Sequence, residues 1–74
     1  MYMSDDFRNK LAAFISEYID TINGGKYTDD DVIRQSIKIL ITENVFTVES
    51  LRKQAIKDFQ ILIPASFIRK CVYG

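Results

Sequence analysis

The chain has 74 residues and a formal net charge of zero, with 47% of its residues hydrophobic and 27% charged, enough for one globular core and not for two. It contains no histidine and a single cysteine, which excludes Ser-His and Cys-His nucleophilic catalysis, histidine metal sites, histidine pH switching and an intrachain disulfide. No apolar run approaches the ~18 residues of a membrane span, and Met1-Tyr2-Met3-Ser4-Asp5-Asp6 lacks the basic-then-apolar layout of a secretory leader, so a single cytoplasmic domain over residues 1–74 is expected.

The zero total conceals an asymmetry. Residues 1–50 hold five Lys and Arg against nine Asp and Glu, a net of −4; residues 51–74 hold five cations against Asp58 alone, a net of +4. A basic end of this kind either folds onto the acidic part or forms an interaction surface.

Ser4 before Asp5-Asp6 reads as a helix cap with acids in the first turn. Phe7, Leu11, Phe14, Ile15, Tyr18, Ile19 and Ile22 then recur at three- and four-residue steps, which predicts a helix over 5–22. Asn23-Gly24-Gly25 supplies its stop, because glycine takes the left-handed C-cap conformation freely. Thr28 is the expected cap of a second helix, with Asp29-Asp30-Asp31 in its first turn. Its apolar residues, Val32, Ile33, Ile37, Ile39, Leu40 and Ile41, cover about half the circumference or more. That arc predicts a central helix or one with a side turned to a partner. Residues 37–41 alone could also read as a strand; the polar steps at Arg34, Gln35, Ser36 and Lys38 favour the helix.

Glu43-Asn44 closes the second helix, and Val45-Phe46 reads as a short apolar connector. Thr47 caps a third helix whose apolar side is Val48, Leu51, Ala55 and Phe59, with Ile56 off its edge and Arg52, Lys53, Gln54 and Lys57 on the other side. Gln60-Ile61-Leu62-Ile63 reads as an extended turn, and Pro64 suits the first position of a fourth helix, 64–73. Phe67, Ile68, Cys71 and Val72 repeat at helical spacing there, with Arg69 and Lys70 pointing elsewhere.

No constellation supports an enzyme, a cofactor or a metal. Adjacent side chains on a helix diverge by ~100°, so Asp29-Asp30-Asp31 reads as an acidic helix start suited to the dipole. Cys71 lacks a general base and falls on an apolar position, so it is expected as a buried thiol.

The segment Thr47-Val48-Glu49-Ser50-Leu51, Ala55, Phe59 and Ile63-Pro64-Ala65-Ser66-Phe67-Ile68-Arg69-Lys70 resembles a helix-turn-helix unit. Its turn, Gln60-Ile61-Leu62, carries no glycine, and no hairpin wing follows. The four capped, periodic segments predict an all-α, compact four-helix domain, and the resemblance implies that its C-terminal half is helix-turn-helix-like. Leu51, Ala55, Ile63 and Ile68 would hold the two helices together. Ala65, Ser66, Arg69 and Lys70 would face a DNA major groove, and Arg52, Lys53 and Lys57 would meet phosphates. The expected function is a small DNA-binding regulator. The alternative is a protein–protein module or homodimer that covers Val32, Ile39 and Leu62.

Overall fold

The computed structural model describes residues 4–19, 21–25, 27 and 29–74. They form four helices, α1 (Asp5–Ser16), α2 (Asp30–Thr42), α3 (Val48–Phe59) and α4 (Ala65–Tyr73), with a short 3-10 turn at Asn23–Gly25 and, among the described residues, no strand. The all-α reading holds, and residues 37–41 are helical.

Local chemistry sets most of the boundaries. The Ser4 hydroxyl accepts from the Phe7 N–H at 3.3 Å, and Asp5 and Asp6 fill the first turn of α1. The helix stops at Ser16, six residues before the predicted end. The Glu17 and Tyr18 N–H groups bond three residues back, to Phe14 and Ile15, the tightening that closes a helix. No cation sits in the last turn to favour the carbonyl end. Farther on, the Ile19 carbonyl accepts from the Tyr27 hydroxyl at 2.7 Å, which ties the chain back beside the core. Ile19 and Ile22 still pack against the core, so their apolar spacing reports burial outside the helix. Gly24 and Gly25 take positive φ (72° and 78°), in the turn toward α2.

The predicted cap Thr28 lies outside the described residues. Asp29 caps α2, its carboxylate accepting from the Asp31 and Val32 N–H groups at 2.8 and 3.4 Å. The far end of α2 is a Schellman turn. Asn44 is left-handed (φ 62°), its N–H bonds the Ile41 carbonyl, and the Val45 N–H bonds the Leu40 carbonyl. Thr47 and Ser50 form a reciprocal capping box at the start of α3: Oγ1 of Thr47 accepts from the Ser50 N–H at 3.1 Å and Oγ of Ser50 accepts from the Thr47 N–H at 2.8 Å.

Gln60 ends α3 in the left-handed region (φ 55°), where a glycine would be unstrained. A left-handed non-glycine residue costs about 1–2 kcal/mol, partly offset because glycine loses more entropy on folding. Gln60→Gly is therefore expected to raise stability by up to about 1 kcal/mol, read as a higher urea midpoint at unchanged m-value. A lower midpoint would mean that the glutamine side chain holds the turn.

Residues 61–64 follow outside the helices, with Ile61 and Ile63 in the core and Leu62 between them 66% exposed, the alternation of an extended chain on a surface. Pro64 is the cap rather than the first residue of α4, and its carbonyl accepts from the Phe67 and Ile68 N–H groups.

α2 packs on both α1 and α4, and α3 also packs on both α1 and α4. The core joins Leu11, Phe14 and Ile15 of α1, Ile33, Ile37 and Leu40 of α2, Leu51 and Ala55 of α3, and Phe67 and Ile68 of α4. Two neighbouring helices account for the wide apolar arc of α2. Ser36 is buried in that arc, and its hydroxyl donates to the Val32 carbonyl at 2.7 Å. The radius of gyration, 10.9 Å, is that of a close-packed chain of this length.

An aromatic cluster joins α1, α3 and the α2–α3 connection. Phe14 meets Tyr18, Phe46 and Phe59 with ring centroids 5.3, 6.0 and 6.0 Å away, and Tyr18 meets Phe46 edge-on at 4.9 Å. The Tyr18 hydroxyl donates to Asp58 at 3.2 Å. Desolvation and then the Asp58 carboxylate push the Tyr18 phenol above its ordinary value. The folded state thus holds this proton more tightly than the unfolded chain. Its contribution to stability is complete below the unfolded tyrosine pKa of ~10 and is lost as pH rises through the folded value. Tyr18→Phe should flatten this alkaline loss in melts across pH 9 to 11 (roughly the range of tyrosine titration). An unchanged alkaline limb would place its origin elsewhere.

Candidate nucleic-acid interface

The structure divides the predicted phosphate-contacting residues. Lys53 and Lys57, one turn apart on α3, are exposed opposite its buried face. Arg52 is half-buried, and its Nε donates to the Ile63 carbonyl at 2.9 Å. It lies four residues after Val48 and three before Ala55, on the edge of the apolar stripe rather than opposite it. This hydrogen bond pins the segment that leads into α4, so Arg52 positions the two helices as well as carrying charge. Leu51, Ala55, Ile63 and Ile68, expected between these helices, are all fully buried.

On α4, Ser66, Arg69 and Lys70 are exposed. Together with Tyr73 they sit at helix steps of three and four, which makes one face, and the four residues line one shallow groove. Tyr73 is 83% exposed. Sequence reasoning passed over this ring because a tyrosine near apolar Cys71 and Val72 gives no separate signal of its own. The opposite face of α4 carries Phe67 and Ile68 into the core, and Ala65 is half-buried.

The charge asymmetry resolves in one direction. Arg8 pairs with Asp5 and, at 3.5 Å, with Asp30 of α2, and Lys10 pairs with Asp6 at 3.7 Å. These contacts stay within the acidic half. Among the described residues, Lys53, Lys57, Arg69 and Lys70 enter no ion pair. Among the described residues, these four side chains make no ion pair with the carboxylates of residues 1–50.

Of the three residues expected at a protein interface, Val32 is 7% exposed and belongs to the core, a correction that follows from the packing of α2 between two helices. Ile39, 37% exposed, and Leu62 remain at the surface. Cys71 is half-buried rather than buried and borders a cleft between α2 and α4. Among the described residues no three carboxylates or thiols converge as a metal site would require, and no helix is long and apolar enough to cross a membrane.

No protein-family model matches the chain, and no curated protein or solved structure matches it.

Proposed function

We propose that the chain is a cytoplasmic, non-catalytic DNA-binding regulator whose α3 and α4 meet the duplex. The observation that carries this reading is the set of four exposed cations, Lys53, Lys57, Arg69 and Lys70, that no carboxylate neutralises among the described residues. A net +4 over residues 51–74 concentrates positive potential on the helices that resemble a helix-turn-helix pair, and phosphate neutralisation by such side chains drives sequence-independent affinity. The left-handed Gln60 takes the backbone geometry for which a turn between two such helices ordinarily uses glycine. Ser66, Arg69 and Lys70 on one face of α4 are the side chains that would reach base edges. The carboxylates at the starts of α1 and α2 would face away, since they repel phosphate.

A second reading rests on Leu62 and Ile39, large apolar side chains left at the surface. In it the chain is a protein–protein module or a homodimer that covers them.

One titration separates the two. Fluorescence anisotropy of a labelled random-sequence duplex is followed across salt for the native chain, Lys53→Gln, Lys57→Gln and Leu62→Asp. On the DNA reading each lysine substitution lowers the slope of log K against log salt by about one unit, and Leu62→Asp leaves it unchanged. Absence of salt-sensitive affinity for any duplex at low ionic strength sinks the DNA reading. Sedimentation in which Leu62→Asp or Ile39→Glu dissociates a complex would then establish the second.

A further inference from the structure

We infer that the outer face of α4 holds an unpaired nucleobase, stacked on the ring of Tyr73, where a strand leaves the duplex. Ser66, Arg69, Lys70 and Tyr73 line one shallow groove along this face. Among the described residues their polar groups are unused within the fold. The Ser66 and Tyr73 hydroxyls make no hydrogen bond, the two cations enter no ion pair, and the Tyr73 ring meets no other ring. Tyr18 and Tyr27 differ: their hydroxyls donate to Asp58 at 3.2 Å and to the Ile19 carbonyl at 2.7 Å. Tyr73 is 83% exposed, so the core gains little from so large a ring. It presents a free aromatic face one helical turn from two cations. Single-stranded nucleic acid is held by that combination: bases stack on the ring and the cations hold the backbone.

Position along the helix separates this role from that of the helix start. Ser66 lies in the first turn of α4 and Tyr73 is its last residue, ~10 Å farther along the axis. The start of such a helix enters the major groove. On the nucleic-acid reading, on which this inference rests, Tyr73 therefore comes to the edge of the duplex. A paired base has both faces covered by its neighbours, and baring one requires unstacking the pair. An unpaired base has a face to offer. The ligand is thus a duplex with a single-stranded overhang, and Arg69 and Lys70 take the phosphates beside the stacked base. Gly74 closes the end of the groove. Its carboxylate offsets one of the two positive charges and leaves the groove positive, so the 74-residue chain is tested unaltered.

The chain contains no tryptophan, so Tyr73→Trp places a single reporter at the site. Its fluorescence should be quenched by a duplex carrying a short oligoadenylate overhang and not by the same duplex blunt-ended. In anisotropy titrations the native chain should bind the overhang duplex roughly tenfold more tightly than the blunt one. Tyr73→Ala should abolish that preference without lowering the salt slope on the blunt duplex, since the ring carries no charge. Tyr73→Phe should keep the preference, because stacking uses the ring and not the hydroxyl. Circular dichroism checks that the variants are folded. A ribonucleotide overhang offers the same base faces, and whichever sugar binds more tightly names the strand. Preference lost in Tyr73→Ala and kept in Tyr73→Phe establishes the stacking site. Blunt and overhang duplexes bound alike with the salt slope intact, or a preference that persists in Tyr73→Ala, overturns it and leaves the duplex reading standing. Quenching of Tyr73→Trp by single-stranded oligoadenylate in a chain that binds no duplex keeps the stacking face while the duplex reading falls. No salt-sensitive affinity for any of these ligands at low ionic strength overturns both.

Discussion

Phe14→Ala is expected to destabilise the chain by about 3–5 kcal/mol. The side chain is fully buried and meets the rings of Tyr18, Phe46 and Phe59. Truncating a buried phenylalanine to alanine costs about 3–5 kcal/mol, part of it lost transfer free energy and part the cavity left behind. A domain of this size has a total stability of roughly 4–11 kcal/mol, so one substitution removes about a quarter of it or more. The cavity would lie where α1, α3 and the α2–α3 connection meet. Chemical denaturation followed by circular dichroism reads the effect. Phe14→Leu, which keeps most of the volume, should retain a cooperative transition at a lower midpoint. A Phe14→Ala chain with a native-like midpoint would mean that the aromatic cluster contributes little and that the α2–α4 contact dominates.

The second large effect concerns binding. Changing Lys53, Lys57, Arg69 and Lys70 together to glutamine should lower the salt slope of duplex binding by roughly three to four units, which at 0.1 M salt corresponds to about a thousandfold loss of affinity or more. The four side chains are exposed and enter no ion pair among the described residues, so the same variant should keep its stability within about 0.5 kcal/mol of the native chain. That separation of binding from folding is why Arg52 is left untouched: its bond to the Ile63 carbonyl would confound the two. A folded quadruple variant that binds a duplex with the native slope would remove the basic face from any account of function.

The helical class and most of the helix boundaries follow from local sequence alone. Ser4 and Thr47 cap as their side chains require, and Asn44, Pro64 and the glycines at 24 and 25 mark turns. These are local effects, decided by a hydroxyl, a missing N–H or a missing Cβ within a few residues. Leu51, Ala55 and Ile68 are legible as buried because helical periodicity reports which face turns inward, whereas the inward place of Ile63 follows only from the helix-turn-helix resemblance. Periodicity could not tell a helix from a bent chain that still packs against the core, and α1 therefore stops at Ser16 while Ile19 and Ile22 continue its apolar pattern. It could not assign what covers a wide apolar arc; α2 meets α1 and α4, and Val32 is core for that reason. The candidate site divides the same way. The exposed lysines and the Ser66, Arg69, Lys70 face follow from spacing along one helix. The withdrawal of Arg52 to the Ile63 carbonyl depends on residues 11 positions apart in the chain. Only the closing of the helices upon one another brings such groups together, since local conformational preference carries no information on distant pairs.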